Sequence, residues 1–233
     1  MTDWIPGRDL IGYAGRPPDP DWPGDARLAL NFVINYEEGG EYTLLNGDRQ
    51  SEAFLSEITA ASNWPGRRHM NMESIYDYGS RAGFWRLHRL FTERALPVPV
   101  SGVTLALEKN PEAVAAMQAA GWEIASHGLR WIECAGMPRE AERAHLHDAI
   151  RRHAAATGER PLGWYTGRCS EHTLALVAEE GGFAYFADSY ADDLPYWTPT
   201  PFGPQLVIPY TLDANDARFI SAQGWGSPSA FHE

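Results

Sequence analysis

Two cysteines, Cys134 and Cys169, are all that the 233 residues contain. That is too few for a disulfide framework, and they follow no zinc spacing, so a reducing compartment is expected and neither thiol needs a chemical role. Basic residues are scarce too: 19 Lys and Arg stand against 31 Asp and Glu, for a net charge of −12. Nucleic-acid binders concentrate cations, so this balance argues against a phosphate-tracking surface and is compatible with a small neutral substrate. Nowhere do 18 apolar residues follow one another, and the start, Met1 to Asp9, has no basic segment leading into an apolar run. Neither a membrane span nor an export signal is expected, and a cytoplasmic location is. No internal repeat or low-complexity tract stands out.

What is present suits one sizeable core. The chain is 44% hydrophobic, which at this length fits a single α/β domain. Nine Trp, ten Tyr and nine Phe could wall a pocket for a flat ligand, although most of them are expected in the core. Residues 1–26, with five prolines and four glycines, read as an irregular surface arm of the kind that mediates subunit contact. Residues 27–233 then read as the catalytic domain.

Residues 27–36 are nearly continuous apolar sequence, the pattern of a strand covered on both faces. A long loop region of about forty residues follows, rich in Gly, Asn, Ser and Arg. Phe84, Leu87, Leu90 and Phe91 recur at helical spacing from Ser80 on, and after Pro97 a Val/Leu-rich stretch through Leu107 reads as a second strand. Asn110 and Pro111 open a helix that Gly121 ends. Residues 122–125 read as strand, 138–157 as a helix stopped by Gly158, and 162–165 as strand. Ser170 caps a helix to about Glu180, residues 183–187 form the next strand, and 206–209 a further one.

Alternating strands and helices imply a parallel sheet, and Glu37, His127, Thr166, Arg168 and Asp188 all follow C-terminal strand ends, the face where barrel enzymes gather catalytic groups. Six strands fall short of a closed barrel. Ser227 and Pro228 read as the cap and first turn of a helix just before the last residue, Glu233, so the sequence is expected to be part of a longer one.

Four segments carry chemistry: Asn35-Tyr36-Glu37-Glu38-Gly39, Ser126-His127-Gly128-Leu129-Arg130-Trp131, Trp164-Tyr165-Thr166-Gly167-Arg168, and residues 187–197, which include Asp188 and Trp197. A second histidine four residues after His127 would make a metal-binding turn, but that position is Trp131, whose indole N–H offers no ligand lone pair. Together the segments resemble the polysaccharide deacetylase superfamily, and within it the bacterial allantoinase branch, from Arg8 to the end.

The resemblance implies a distorted (β/α) barrel, hydrolysis of a cyclic ureide (allantoin to allantoate, in purine catabolism), and a homo-oligomer, with a tetramer among the candidates. In the superfamily a first motif supplies a general base and then a metal ligand, places that Glu37 and Glu38 occupy here. The two histidines of a later motif are matched by His127 and Trp131. Glu38 and His127 are left as the fallback ligands for zinc or another divalent metal, fewer than the three protein ligands usual for catalytic zinc. No cofactor is therefore expected. A histidine of a late Leu-x-His motif would lie beyond Glu233, and Arg168 lies where the superfamily has an Arg-Pro-Pro-Tyr motif.

Without a metal, water needs a base with a pKa nearer neutrality than about 4.3. Adjacent glutamates at an aromatic-walled strand end suit this, since like charge and desolvation both raise a carboxyl. Glu37 is the candidate base, with Glu38 holding a ureide N–H or the old ligand position. His127 would polarise the ring carbonyl or protonate the departing nitrogen, Arg168 would stabilise the oxyanion, and Asp188 would orient one of these groups. Trp131, Trp164, Tyr165, Trp197 and Arg81 are the candidate substrate contacts.

Plainer readings stand beside these. Strand alternation would keep Glu37 and Glu38 from facing one pocket together while regular strand persists, so one of them would cap a loop. His127 on its own would be a structural histidine, and Arg81 a loop cap. His145, His147 and His153 share a helix but lack i,i+4 spacing, which reads as a solvated face; Asp192 and Asp193 read as a turn. The rival functions are a metal-dependent polysaccharide or peptidoglycan N-deacetylase, a cyclic imidase, and a non-catalytic binding relative.

Overall fold

The computed structural model describes residues 4–220, 224 and 226–231. Within them, seven short strands form one sheet: β1 (Ile34–Tyr36), β2 (Val100–Gly102), β3 (Ile124–Ser126), β4 (Gly163–Trp164), β5 (Tyr185–Phe186), β6 (Tyr196–Thr198) and β7 (Gln205–Val207). The order is β1-β2-β3-β4-β5-β7-β6. Every pairing is parallel except β6 with β7. The helices are α1 (Met70–Tyr78), α2 (Phe84–Thr92), α3 (Thr104–Lys109), α4 (Pro111–Ala119), α5 (Arg139–Thr157) and α6 (Thr173–Glu180). No described helix is long and apolar enough to cross a membrane.

Two buried clusters hold these layers together. Val98, Val100, Leu107, Val114 and Met117 join the first strands to α3 and α4. Leu146, Trp164, Leu176, Val177, Phe186 and Val207 join α5 and α6 to the later strands. Each fully buried side chain of this size contributes roughly 1.5–3 kcal/mol. The sheet curves round on itself: Asn35 of β1 reaches Tyr210, three residues past β7, with Nδ2 3.3 Å from the hydroxyl. The result is the expected distorted barrel, with β1 and β6 as edge strands.

Several elements differ from the sequence reading. Only Ile34–Tyr36 of residues 27–36 pair as strand; Leu28 and Leu30 are exposed. The neighbour explains this. Pro97 and Pro99 precede β2 and have no N–H to extend the ladder, so Ile34 N donating to Pro99 O at 3.1 Å marks where pairing begins. The stretch read as strand through Leu107 leaves the sheet at Gly102 and turns helical at Thr104. The first N–H groups of α3 find carbonyls elsewhere, Thr104 N on Gly128 O (3.0 Å) and Leu105 N on Leu129 O (3.1 Å).

Helix α1 lies inside the expected loop region. Its cap was not legible because it is a histidine: His69 Nδ1 accepts from Met72 N at 3.3 Å. A π-turn, Gly79–Gly83, joins α1 to α2. Asn110 caps α4 as expected, accepting from Ala113 N at 3.1 Å. Ser170 lies ahead of α6 in a turn, its Oγ accepting from His172 N at 2.9 Å, and the helix itself begins at Thr173. The expected helix start near the end is a 3-10 turn, Pro228–Phe231, with Ala230 N donating to Ser227 O at 3.1 Å. The seventh strand, β6, is the antiparallel arm of a hairpin that the sequence reading lacked.

Candidate active site

Strand β1 ends at Tyr36, and Gly40 N donates to Glu37 O at 2.8 Å, closing a turn in which Gly39 has φ +97°. That backbone favours glycine, and a Cβ on Gly40 would overlap Val103 Cγ1, so the Glu-Glu-Gly-Gly run suits this bend. Because the turn interrupts strand alternation, Glu37 and Glu38 both line one cleft of about 1170 Å³ at the C-terminal strand ends. The choice left open between two pocket carboxylates and one loop cap is settled by where β1 stops.

His127 follows β3, and its backbone N donates to Gly102 O at 2.8 Å. Its Nε2 lies 3.0 Å from Glu37 Oε1, and its ring is 4.7 Å from that of Tyr165. The imidazole is 1% exposed, whereas the Glu37 side chain keeps 20% exposure, so the pair reaches the cleft through the carboxylate. His127 Nδ1 is buried with no partner among the described residues.

Glu38 is set more deeply. Its Oε2 accepts from Glu37 N at 3.0 Å, and its carboxyl lies against Gly79, where a Cβ would overlap Oε1. Desolvation pushes Glu38 up to about 7, with the Glu37 charge adding to it and backbone N–H groups opposing. The near-neutral carboxyl thus belongs to the neighbour of the residue that the sequence reading chose as base.

Asp188 follows β5 and accepts from Thr166 N (2.7 Å) and Gly167 N (2.6 Å). Desolvation pushes it up to about 6 despite these two donors. It anchors the loop that carries Arg168. The Arg168 guanidinium carbon is 4.8 Å from the ring centroids of both Phe54 and Trp131 and 5.6 Å from that of Tyr42. One arm of the fork, Nη1, reaches Glu52 Oε2 at 3.3 Å. Glu52 is buried and is itself held by the N–H groups of Ala53 and Phe54. Arg168, Trp131 and Phe54 thereby form one cationic, aromatic wall.

Of the residues singled out from sequence, Glu37, Glu38, His127, Trp131, Tyr165 and Arg168 line the cleft. Trp164, Trp197, Arg81 and Asp188 do not. Trp164 is the last residue of β4 and points away from Tyr165, into the core, its Nε1 donating to Thr166 Oγ1 at 2.8 Å and its ring 5.3 Å from Phe183. Trp197 is 64% exposed on edge strand β6, and Arg81 is exposed in the π-turn. His145 and His153 are partly or fully buried in α5, which corrects the solvated-face reading for both. Desolvation pushes each down to about 4.

The cleft also holds Tyr210 and Asn215, which the sequence reading missed. Tyr210 stacks on Tyr165 with centroids 4.7 Å apart and planes at 9°, and Asn35 and Asn215 flank it. Tyr210 directly follows the expected strand 206–209, a position that could have signalled it. Glu52, in the long loop, carried no such signal.

A divalent metal is the cofactor that the superfamily pattern implies, and the donor set can be tested against it. His127 Nε2 is engaged by Glu37, the Glu38 carboxyl lies against the Glu37 backbone and Gly79, and residue 131 is a tryptophan. Among the described residues no three His, Cys, Asp or Glu side chains gather as a ligand set. These residues do not fit a three-ligand centre.

The profile of the polysaccharide deacetylase family matches residues 70–185. A Schizosaccharomyces pombe protein provisionally named a polysaccharide deacetylase is 38% identical over 244 residues, covering 97% of this chain and 76% of its own. A Pseudomonas aeruginosa PAO1 crystal structure, likewise provisionally named, is 57% identical with a TM-score of 0.94, over 96% of this chain and 75% of that one. The crystal structure of PuuE allantoinase is 54% identical with a TM-score of 0.95, over 99% of this chain and 76% of that one. On the strength of these matches, the chain belongs to the polysaccharide deacetylase family.

Proposed function

We propose that the chain is a hydrolase that opens the ring of allantoin to allantoate without a metal. The observation that carries this reading is the Glu37–His127 pair, 3.0 Å apart, facing a cleft whose fourth residue after the histidine is Trp131. A base held by an imidazole remains, while the position where a metal-binding turn would need a second histidine holds an indole. Resemblance to an allantoinase at 54% identity supports the choice of substrate.

In this mechanism Glu37 takes a proton from water as the water oxygen adds to a ring carbonyl, and His127 fixes the orientation of the carboxylate. Arg168, preorganised by Glu52 and the aromatic wall, stabilises the oxyanion. Glu38, with its carboxyl near neutrality, gives a proton to the ring nitrogen as the C–N bond breaks. The product carries a free ureido group and a carboxylate. A cytoplasmic, homo-oligomeric protein with a small-molecule partner, and with neither nucleic acid nor membrane as ligand, belongs to the same proposal.

The test is allantoate formation from racemic allantoin by chelator-treated protein, with Glu37→Gln beside it. Turnover that survives chelation and vanishes in the variant is expected. No turnover until zinc is added, or acetate release from N-acetylated sugars alone, would return the protein to metal-dependent deacetylation.

A further inference from the structure

Helix α1 brings to the cleft a hydroxyl that the fold itself does not use. Tyr76 lines the cleft together with Glu37 and Arg168. Its ring is partly buried and packs against the first core cluster, which anchors the side chain. Its hydroxyl has no hydrogen-bond partner among the described residues and, unlike Nδ1 of His127, is not shut off from solvent. A phenol anchored by its ring and open at its oxygen offers a ligand one O–H donor and two lone pairs.

The surroundings decide which of these it uses. Desolvation raises the Tyr76 phenol far above its ordinary value, the charges of Glu52, Glu37 and Glu41 add to this in that order, and the Arg168 cation opposes them. The phenol therefore keeps its proton at any working pH, so it is no base and stands ready as a donor. The same charges locate the hydroxyl. Glu52, the carboxylate it feels most, is the one that accepts from Arg168 Nη1 at 3.3 Å. Tyr76 and Arg168 thus come to the cleft around one buried carboxylate, the first from α1 and the second from the loop after β4. Part of the Arg168 charge is spent on Glu52. A second donor without charge adds to the stabilisation of a developing oxyanion and brings no further ion to desolvate.

We infer that the Tyr76 hydroxyl is a catalytic donor, acting with Arg168 to hold the oxygen of the amide carbonyl as water adds to it. Tyr76 keeps its proton throughout, so the step gains a hydrogen bond and leaves the proton transfers to Glu37 and Glu38. The role rests on the hydrolytic reading of the cleft, and it holds for whichever amide is cleaved there.

Tyr76→Phe tests this, because it removes one oxygen and leaves the ring on the core. Steady-state turnover of allantoin and thermal unfolding are measured on the full chain, wild type beside variant. The variant is expected to lose about 100-fold in kcat, the effect of deleting one oxyanion donor, with KM changed by no more than a few-fold. Its Tm should not fall, since the hydroxyl gives up no partner. An unchanged kcat overturns the donor role. So does a raised KM with kcat intact, which would place the hydroxyl on the substrate before reaction, and so does a kcat loss that follows a lowered Tm. If wild type leaves allantoin intact, the ureide reading fails by itself, and the two proteins are compared for acetate release from an N-acetylated chitooligosaccharide with zinc supplied. A matching loss of kcat there keeps the donor, and equal rates remove it. Turnover of neither substrate overturns both readings.

Discussion

Glu38→Gln separates the effect of desolvating a carboxylate from the effect of shape. In the folded chain the Glu38 carboxyl is pushed from 4.5 to about 7, chiefly by desolvation. At about 1.4 kcal/mol per pH unit, ionising it in place costs roughly 3 kcal/mol relative to the unfolded chain. The sign follows from the direction. A carboxyl raised on folding holds its proton more tightly in the native state, so its contribution is fully present below pH 4.5 and is lost as pH rises through about 7. Glutamine keeps an oxygen to accept from Glu37 N and has no charge to desolvate. Urea unfolding at pH 5, 6, 7 and 8 should therefore show wild type losing about 2–3 kcal/mol against the variant across the series, most of it below pH 7. Glu37→Gln, by removing the adjacent charge, should move that loss to lower pH. A wild-type-to-variant difference that stays constant across the series, or grows in the wild type's favour, would refute the burial argument.

Three further outcomes follow from the same contacts. Gly79→Ala forces a methyl into the Glu38 carboxyl and should destabilise by about 1–3 kcal/mol, with Glu38→Gln failing to rescue it; an unchanged denaturation midpoint would contradict the contact. Arg168→Lys keeps the charge but loses the stacking on Trp131 and Phe54, so kcat should fall about 10- to 100-fold with little change in Tm. Asp188→Asn faces one of the Thr166 and Gly167 N–H groups with a second donor, and should cost about 1–3 kcal/mol as well as turnover; thermal unfolding indistinguishable from wild type would show that the loop is held some other way.

Much of the layout was legible where local chemistry alone decides structure. Asn110-Pro111 announced α4, Gly158 the end of α5, and the polar residues at strand ends marked the catalytic face. What escaped depends on partners distant in sequence. Residues 27–33 read as strand, but the prolines ahead of β2 leave them nothing to pair with. Residues 104–107 suit either strand or helix by hydrophobicity, and carbonyls of residues 128 and 129 decide for helix. At the site, the Glu37–Glu38 turn and His127 stood out as motif. Trp164 and Tyr165 are adjacent aromatics whose opposite fates are set by the pleat, and Tyr210 gains its place only because the sheet curves back to β1.

The π-turn at Gly79–Gly83 sets the rotational phase between α1 and α2. Such a turn carries one residue more than an α-helix needs, and each residue in an α-helix accounts for about 100° of rotation and 1.5 Å of rise. Deleting a single residue there would let the two helices run straight through, swinging Ser74, Ile75 and Tyr78 about the axis and away from the cleft they now line. A chain so shortened would keep the sheet, the Glu37–His127 pair and Arg168, yet offer its substrate a different wall. Length variation at this one turn thus changes what the cleft accepts and, through Gly79, the seat of the Glu38 carboxyl.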